Sequence, residues 1–411
     1  MKPIVLFDKS FLHKLNPDES FWFDHFFRTN ICPLFYVETL ADLKKSLKEG
    51  SRSTPEQEVG NYGNKFPEMN SCPNVHHVTA CTGELLGHPV PMTGQILLAG
   101  GRPVKTEDKS GIVFEKSPEA EAFNRWQKGE FLEIERLYAQ EWREMLANLN
   151  LKEVASRFRK LGIDGKSCNT LEQAKSIAIE IVSSTDKPDS MYLALSSLNI
   201  HPQCHQEIFH RWSNMNYPPL TRYAPYTAYV YTVELFFQIA LAANLIPSER
   251  PSNRVDISYL FYLPFTKIFV SNDKLHRKCA PLFIRKNQQF IWGEDLKNGL
   301  KNINDYYLEY PDEQKEKGAM SFAPYPPKEG SFYISEIWDK HFPDWRKEKE
   351  IDFSGKNIKH DKLAENLRQF ADAPTLSPDK MDFDASNADN LLVKRSVRKK
   401  KGSWYQIPKN L

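Results

Sequence analysis

Residues 4–10 read IVLFDKS: four apolar residues run straight into an aspartate, and a helical pattern, SFLHKL, begins within two residues. The run has the length and composition of a short buried strand. A carboxylate at the end of such a strand is costly if it is isolated in the interior. Asp8 must therefore cap the following helix, meet a cation, or open onto a cleft. Capping alone accounts for this stretch by itself, so the choice depends on what the rest of the chain places beside it.

Working outward, NPDESFWFDHFFRT (16–29) carries aromatics at helical spacing behind Asn16 or Asp18 as N-cap. NICPLFYV (30–37) reads as a second strand, leading into a helix ETLADLKKSLKEG (38–50) that ends at Gly50. Residues 51–112 are dominated by Gly, Pro, Asn and Ser, with a hairpin expected in QILLAGGRPVKT…GIVFE. SPEAEAFNRW (117–126) starts a helical region reaching about Leu146, with Pro118 in its first turn. Shorter helices are expected near 151–161, 170–184, 189–198 and 203–213, then a long one over 226–245. KIFVS (267–271) is a compact strand, and QQFIWGEDLKNGLKNINDYY (288–307) reads as strand then helix. Beyond about residue 345 the chain turns polar with little periodicity, which predicts a tail that is in large part mobile or wrapped as an extended segment.

The 411 residues suffice for two or three domains, or for one core with large insertions. With 55 Lys plus Arg against 53 Asp plus Glu, overall charge points to no polyanionic partner. Six scattered cysteines without a CxxC pair fit free thiols in a reducing compartment. The opening residues lack the features of a signal peptide. YVYTVELFFQIALAANLI (229–246) is interrupted by Glu234, Gln238 and Asn244, so it reads as a buried helix and not a membrane span. These features predict a soluble, cytoplasmic protein without a membrane partner.

Acids recur at strand edges and helix starts: Asp8 in IVLFDKS, Glu38 and Asp42 in LFYVETLADLKK, Asp256 and Asp273 in NRVDISYLFYLPFTKIFVSNDKLHRKCA. Mg²⁺ and Mn²⁺ take oxygen ligands of this kind, and two such ions can activate a water and stabilise a leaving oxygen. Open α/β sheets place their ligand crevice at the carboxyl ends of the strands, where acids meet solvent and substrate. Competing explanations exist for each residue. Asp8, Asp256 and Asp273 are all candidate N-caps, and Glu38 and Asp42 could form a solvated face with Lys44, Lys45 or Lys48.

In their order and spacing these motifs resemble the PIN-domain nucleases, a metal-dependent family related to flap endonucleases. Asp8-Lys9-Ser10 is similar to the family's opening Asp-x-Ser, and TLADL (39–43) to its TLAEL, with Asp42 in place of Glu. Asp256, the apolar run after it, and Ser271-Asn272-Asp273 are similar to the family's last two acids. The resemblance implies an α/β fold with a central, mostly parallel sheet flanked by helices, built from 1–48 and 222–307. It also implies a large, mainly helical insertion over 49–221, and it leaves 308–411 as a C-terminal extension. By the same resemblance Asp8, Asp256 and Asp273 would hold Mg²⁺ or Mn²⁺, with Glu38 or Asp42 as a further acid. Glu38 lies one turn before Asp42 on the same face, and the two rank equally. Ser10 and Ser271 would orient the ligands. The implied activity is endonucleolytic hydrolysis of RNA in preference to DNA, as in toxins and processing factors.

The alternative is a PIN-like scaffold that has lost efficient chemistry and binds RNA or a protein partner through the helical insertion. A small-molecule phosphohydrolase is a third reading, and a dehalogenase-type site is disfavoured because Ser10 stands where a second aspartate is needed. The tail KRSVRKKKGSWYQIPKNL gathers Lys394, Arg395, Arg398, Lys399, Lys400 and Lys401 ahead of Trp404, which suits phosphate contact and base stacking, or a solvated docking segment. His201 and His205 are four apart, but Pro202 intervenes and no other zinc motif accompanies them.

Overall fold

In the computed structural model, which describes residues 2–45, 53–98, 100–347, 360–383, 388, 390–395 and 397–410, the run Ile4–Phe7 is a strand (β1) buried along its whole length. A strand apolar on both faces belongs inside a parallel sheet covered by helices, and β1 takes the middle place. The sheet has five strands in the order β3-β2-β1-β4-β5, all parallel, with β2 at Arg28–Ile31, β3 at Ser71–Pro73, β4 at Ile268–Ser271 and β5 at Gln289–Trp292.

Alternation along the strands feeds two cores. Val5, Phe7, Ile268, Val270 and Ile291 face one layer, which includes the helices Pro17–Phe26 and Gly293–Leu308. Leu6 and Phe269 face the other, built on the helix Pro225–Ala242 and the helices packed around it. Pro225–Ala242 is the helix carrying the two polar interruptions Glu234 and Gln238. Glu234 Oε2 pairs with Arg254 at 2.8 Å, and Gln238 donates to Glu234 Oε1 at 2.8 Å. Among the described residues no helix is long and apolar enough to cross a membrane. All six cysteines are free.

The strand order explains why distant parts of the sequence meet. From β1 the chain proceeds outward to β2 and β3, then crosses back to β4 on the other side of β1. Neighbouring connections therefore diverge at the β1–β4 pair, where Leu6 is opposite Phe269 and Phe7 opposite Val270. In doubly wound sheets that divergence opens a crevice at the carboxyl ends of the strands. Asp8 follows β1 directly and Asn272 follows β4, so both stretches open onto it.

Several local expectations change. The strand predicted over 30–37 stops at Ile31, and Pro33 instead occupies the first position of a helix, Pro33–Ala41. Proline has no N–H for a strand ladder, while its fixed φ suits a helix start. That helix tightens into a 3₁₀ turn over Asp42–Lys44, and the end expected at Gly50 lies outside the described residues. The stretch 49–221 is mainly helical, yet it also supplies β3, an edge strand of the central sheet. Asp256 sits inside the short helix Asn253–Ser258 and does not cap it.

The hairpin forms from Arg102–Lys105 and Ser110–Phe114, and the tail joins it: Asn390–Val393 pairs parallel to the second strand. This tail does not present its cations and Trp404 to a nucleic acid as a set. Lys401 is buried and donates to the Lys65 and Phe66 carbonyls at 3.1 and 2.8 Å. Arg398 pairs with Glu68 at 3.2 Å, Arg395 donates to the Met69 carbonyl at 2.6 Å, and Lys394 pairs with Glu115 at 3.2 Å. Trp404 is 1% exposed and has no open face for a base. Of this group only Lys399 and Lys400 keep exposed side chains, and Lys400 lies 5.3 Å from the Tyr405 ring centroid. The sequence pattern of basic residues followed by aromatics reports a segment folded back onto the core.

Candidate active site

Asp8 performs the capping role and more. Its Oδ1 accepts from the Phe11 backbone N–H at 3.0 Å, starting the helix Lys9–Lys14. Its Oδ2 accepts from Ser10 Oγ at 2.7 Å and Ser271 Oγ at 2.8 Å. Ser10 Oγ in turn accepts the Asn272 N–H at 3.0 Å, and Ser271 Oγ accepts the Asp273 N–H at 2.8 Å. The two serines thus clamp the end of β1 to the turn after β4, which fixes Asp8 relative to Asp273. Asp273 caps the next helix, Lys274–Phe283, through a 2.6 Å bond from the Leu275 N–H.

Beneath this turn lies a residue the sequence reading passed over. His276 is fully buried, with Nε2 2.6 Å from the Asp256 carbonyl and Nδ1 2.8 Å from Ser271 Oγ and 3.4 Å from Asp8 Oδ2. A carbonyl can only accept, so Nε2 carries a proton. With the Ser271 hydroxyl donating to Asp8 Oδ2, Nδ1 donates to Ser271 Oγ and the ring is an imidazolium set against the Asp8 carboxylate. Burial alone would lower its pKa, but the Asp8 hydrogen bond and charge, with Asp256, carry it up to about 9. The available signal was a histidine three residues after Asp273, on the inward face of a helix whose N-cap was already a candidate ligand.

Asp8, Glu38, Asp256 and Asp273 all line one cleft of about 360 Å³ at this carboxyl edge. Lys9, Lys14, Lys45, Tyr62, Tyr259 and Asn272 share its walls. Tyr259 OH donates to Glu38 Oε2. Burial raises the Glu38 carboxyl above its ordinary range, opposed by the nearby Lys9 charge and the Tyr259 bond. The Asp256 carboxyl is pushed up to about 7, first by burial, then by the charges of Glu38, Asp273 and Asp8, against the pull of His276. Desolvated carboxyls that face one another across a cleft favour a proton or a cation beside them.

The structure separates Glu38 from Asp42. Asp42 does not line the cleft; it is buried behind it and engaged by Lys9 at 2.8 Å, Arg143 at 3.3 Å and Lys45 at 3.8 Å. The TLADL match therefore falls on an ion-pair centre, while the acid one turn earlier reaches the cleft. Ser10 and Ser271 both contact Asp8, the contact a ligand-orienting role requires.

Among the described residues no three His, Cys, Asp or Glu side chains stand close enough together to enclose an ion. The four acids form an open wall and not a closed coordination shell. Mg²⁺ keeps several of its waters and is commonly held through one or two carboxylates, so the arrangement this spacing leaves for such an ion is a hydrated one on one or two of the acids. The chain matches no family model, no curated protein and no solved structure.

Proposed function

We propose that the chain is a divalent-metal-dependent nuclease of PIN-like type that hydrolyses phosphodiester bonds, RNA in preference to DNA. One observation carries this reading: acids from four separate stretches of the chain line a single cleft at the switch point of a parallel sheet. Asp8, Asp256 and Asp273, with Glu38, would hold Mg²⁺ or Mn²⁺, which when bound supplies an acidified water and stabilises the leaving oxygen. Asp8 is oriented by three hydrogen bonds and backed by the His276 imidazolium. Asp256, desolvated and facing the charges of Glu38, Asp273 and Asp8, is the acid that would gain most from a cation beside it. Tyr259 holds the Glu38 carboxyl in place. Lys14 and Lys45, half or more exposed, offer cations at the mouth for flanking phosphates.

The scaffold reading is favoured by the open spacing of the acids. Assays of the full chain on single-stranded RNA, tRNA, single-stranded DNA and a phosphomonoester, with Mg²⁺, Mn²⁺ or EDTA, separate the readings. We expect cleavage of RNA that requires the divalent ion and no phosphomonoester turnover. RNA binding without divalent-dependent turnover would instead support the scaffold, and phosphomonoester hydrolysis would support a metabolite phosphatase.

A further inference from the structure

We propose that Lys9, Lys45 and Arg143 form a phosphate-binding subsite beside the acid cleft, held in position by Asp42. The proposal rests on the nuclease reading for its substrate, a nucleic-acid strand, and adds where the strand's backbone is gripped.

Three cations surround one buried carboxylate: Lys9 Nζ and Arg143 Nη2 lie 2.8 and 3.3 Å from Asp42, and Lys45 Nζ 3.8 Å away. Among the described residues Asp42 is the only carboxylate in ion-pair range of any of the three. Asp42 alone does not neutralise the three cations, so they form the positive side of a cleft whose other side is the wall of acids. A solvated lysine pair would gain little from such an arrangement, and Lys45 is of that kind, but Lys9 and Arg143 are not loosely placed. Lys9 Nζ also donates to the Glu38 carbonyl at 3.0 Å and lies 5.6 Å from the Tyr62 ring centroid. Arg143 Nε donates to the Ala41 carbonyl at 2.6 Å.

Position then selects the ligand. Lys9 and Lys45 line the same cleft as Asp8, Glu38, Asp256 and Asp273. A wall of acids beside fixed cations suits a phosphodiester chain, with one phosphate at the acids and a neighbour on the cations. Arg143 comes from the helix Glu133–Ala147 and joins the cluster through Asp42 and the Ala41 carbonyl, beside the cleft-lining residues and not among them. Asp42 is then a positioning residue, not a metal ligand.

The test is anisotropy of a fluorescein-labelled single-stranded RNA on the full chain in EDTA, across a series of KCl concentrations. Each lost phosphate contact should flatten the log–log salt slope by about 0.7. Lys9→Gln and Arg143→Gln are each expected to flatten it by that amount, and Lys9→Arg to restore it. Asp42→Asn should flatten the slope part of the way and lower cleavage, because the cations remain but lose the carboxylate that positions them. If Lys9→Gln lowers only the melting temperature and leaves the slope unchanged, or if the parent does not bind RNA, the subsite is wrong. If the slope responds but no divalent ion supports cleavage, the subsite stands and the nuclease reading fails. Cleavage by the parent with a slope indifferent to Lys9 and Arg143 has the opposite meaning.

Discussion

Asp256→Asn is expected to fold like the parent and to lose divalent-dependent cleavage by at least about 100-fold, since even groups that only support a metal ligand cost 10–100-fold when removed. The substitution is a clean one. No hydrogen bond reaches the Asp256 carboxylate from the described residues, and its contact with His276 is made by the backbone carbonyl, which Asn retains. With a carboxyl already near 7, the neutral amide removes a desolvated acid and no structural bond. Asp8→Asn is different. It takes the counter-ion from the buried His276 imidazolium and should destabilise the fold as well as stop catalysis. The sign follows from the histidine: its pKa is raised from 6.5 to about 9 on folding. The stabilisation is whole below about 6.5 and disappears as pH rises through about 9, a difference worth about 3 kcal/mol. Urea unfolding of parent and Asp8→Asn should therefore differ most in mildly acid buffer and converge in alkaline buffer. A constant gap across that range would rule out the ion pair, and full cleavage by Asp256→Asn would rule out the proposed acid wall.

The parts of this site that were legible in the sequence are those with a local signature. IVLFD and KIFVS announce strands by continuous apolar runs, and an acid or Ser-x-Asp after each marks the sheet's carboxyl edge. Helix starts at Asn16, Ser117 and Asp273 are written in capping residues. What was illegible depends on tertiary placement. SCP over Ser71–Pro73 has no strand periodicity, and becomes β3 because β2 offers it an open ladder. Glu38 and Asp42 are equivalent on a helical wheel; only the arrival of Lys9, Lys45 and Arg143 at Asp42 distinguishes them. His276 reads as one polar residue among LHRKCA until the Asp256 carbonyl and Ser271 close over it. The tail misled for a related reason: its basic residues satisfy carbonyls and acids of residues 63–69 and 115, contacts with no trace in local composition.

That tail carries the second large effect. Trp404→Ala is expected to destabilise the full chain by about 3–5 kcal/mol, the range for deleting a buried Trp or Phe side chain. The indole packs against Trp22 at a centroid distance of 4.8 Å and against Phe21 and Phe322 at 6.1 and 6.2 Å. Its Nε1 donates at 2.8 Å to Asn304 Oδ1, which also accepts Trp22 Nε1 at 3.3 Å, so one amide joins two indoles from opposite ends of the sequence. Gly402 makes the approach geometrically feasible: it turns the chain at φ 57°, and a Cβ there would collide with the Asp18 carboxylate, which accepts the Ser403 N–H. Trp404→Phe should recover most of the packing and forfeit mainly the hydrogen bond, a loss of about 1 kcal/mol. Urea unfolding of the three proteins, with RNA binding measured on each in its folded range, distinguishes a core residue from a stacking platform. A platform predicts unchanged stability and weakened binding in Trp404→Ala. The buried position predicts a large loss of stability with the affinity of the folded fraction intact.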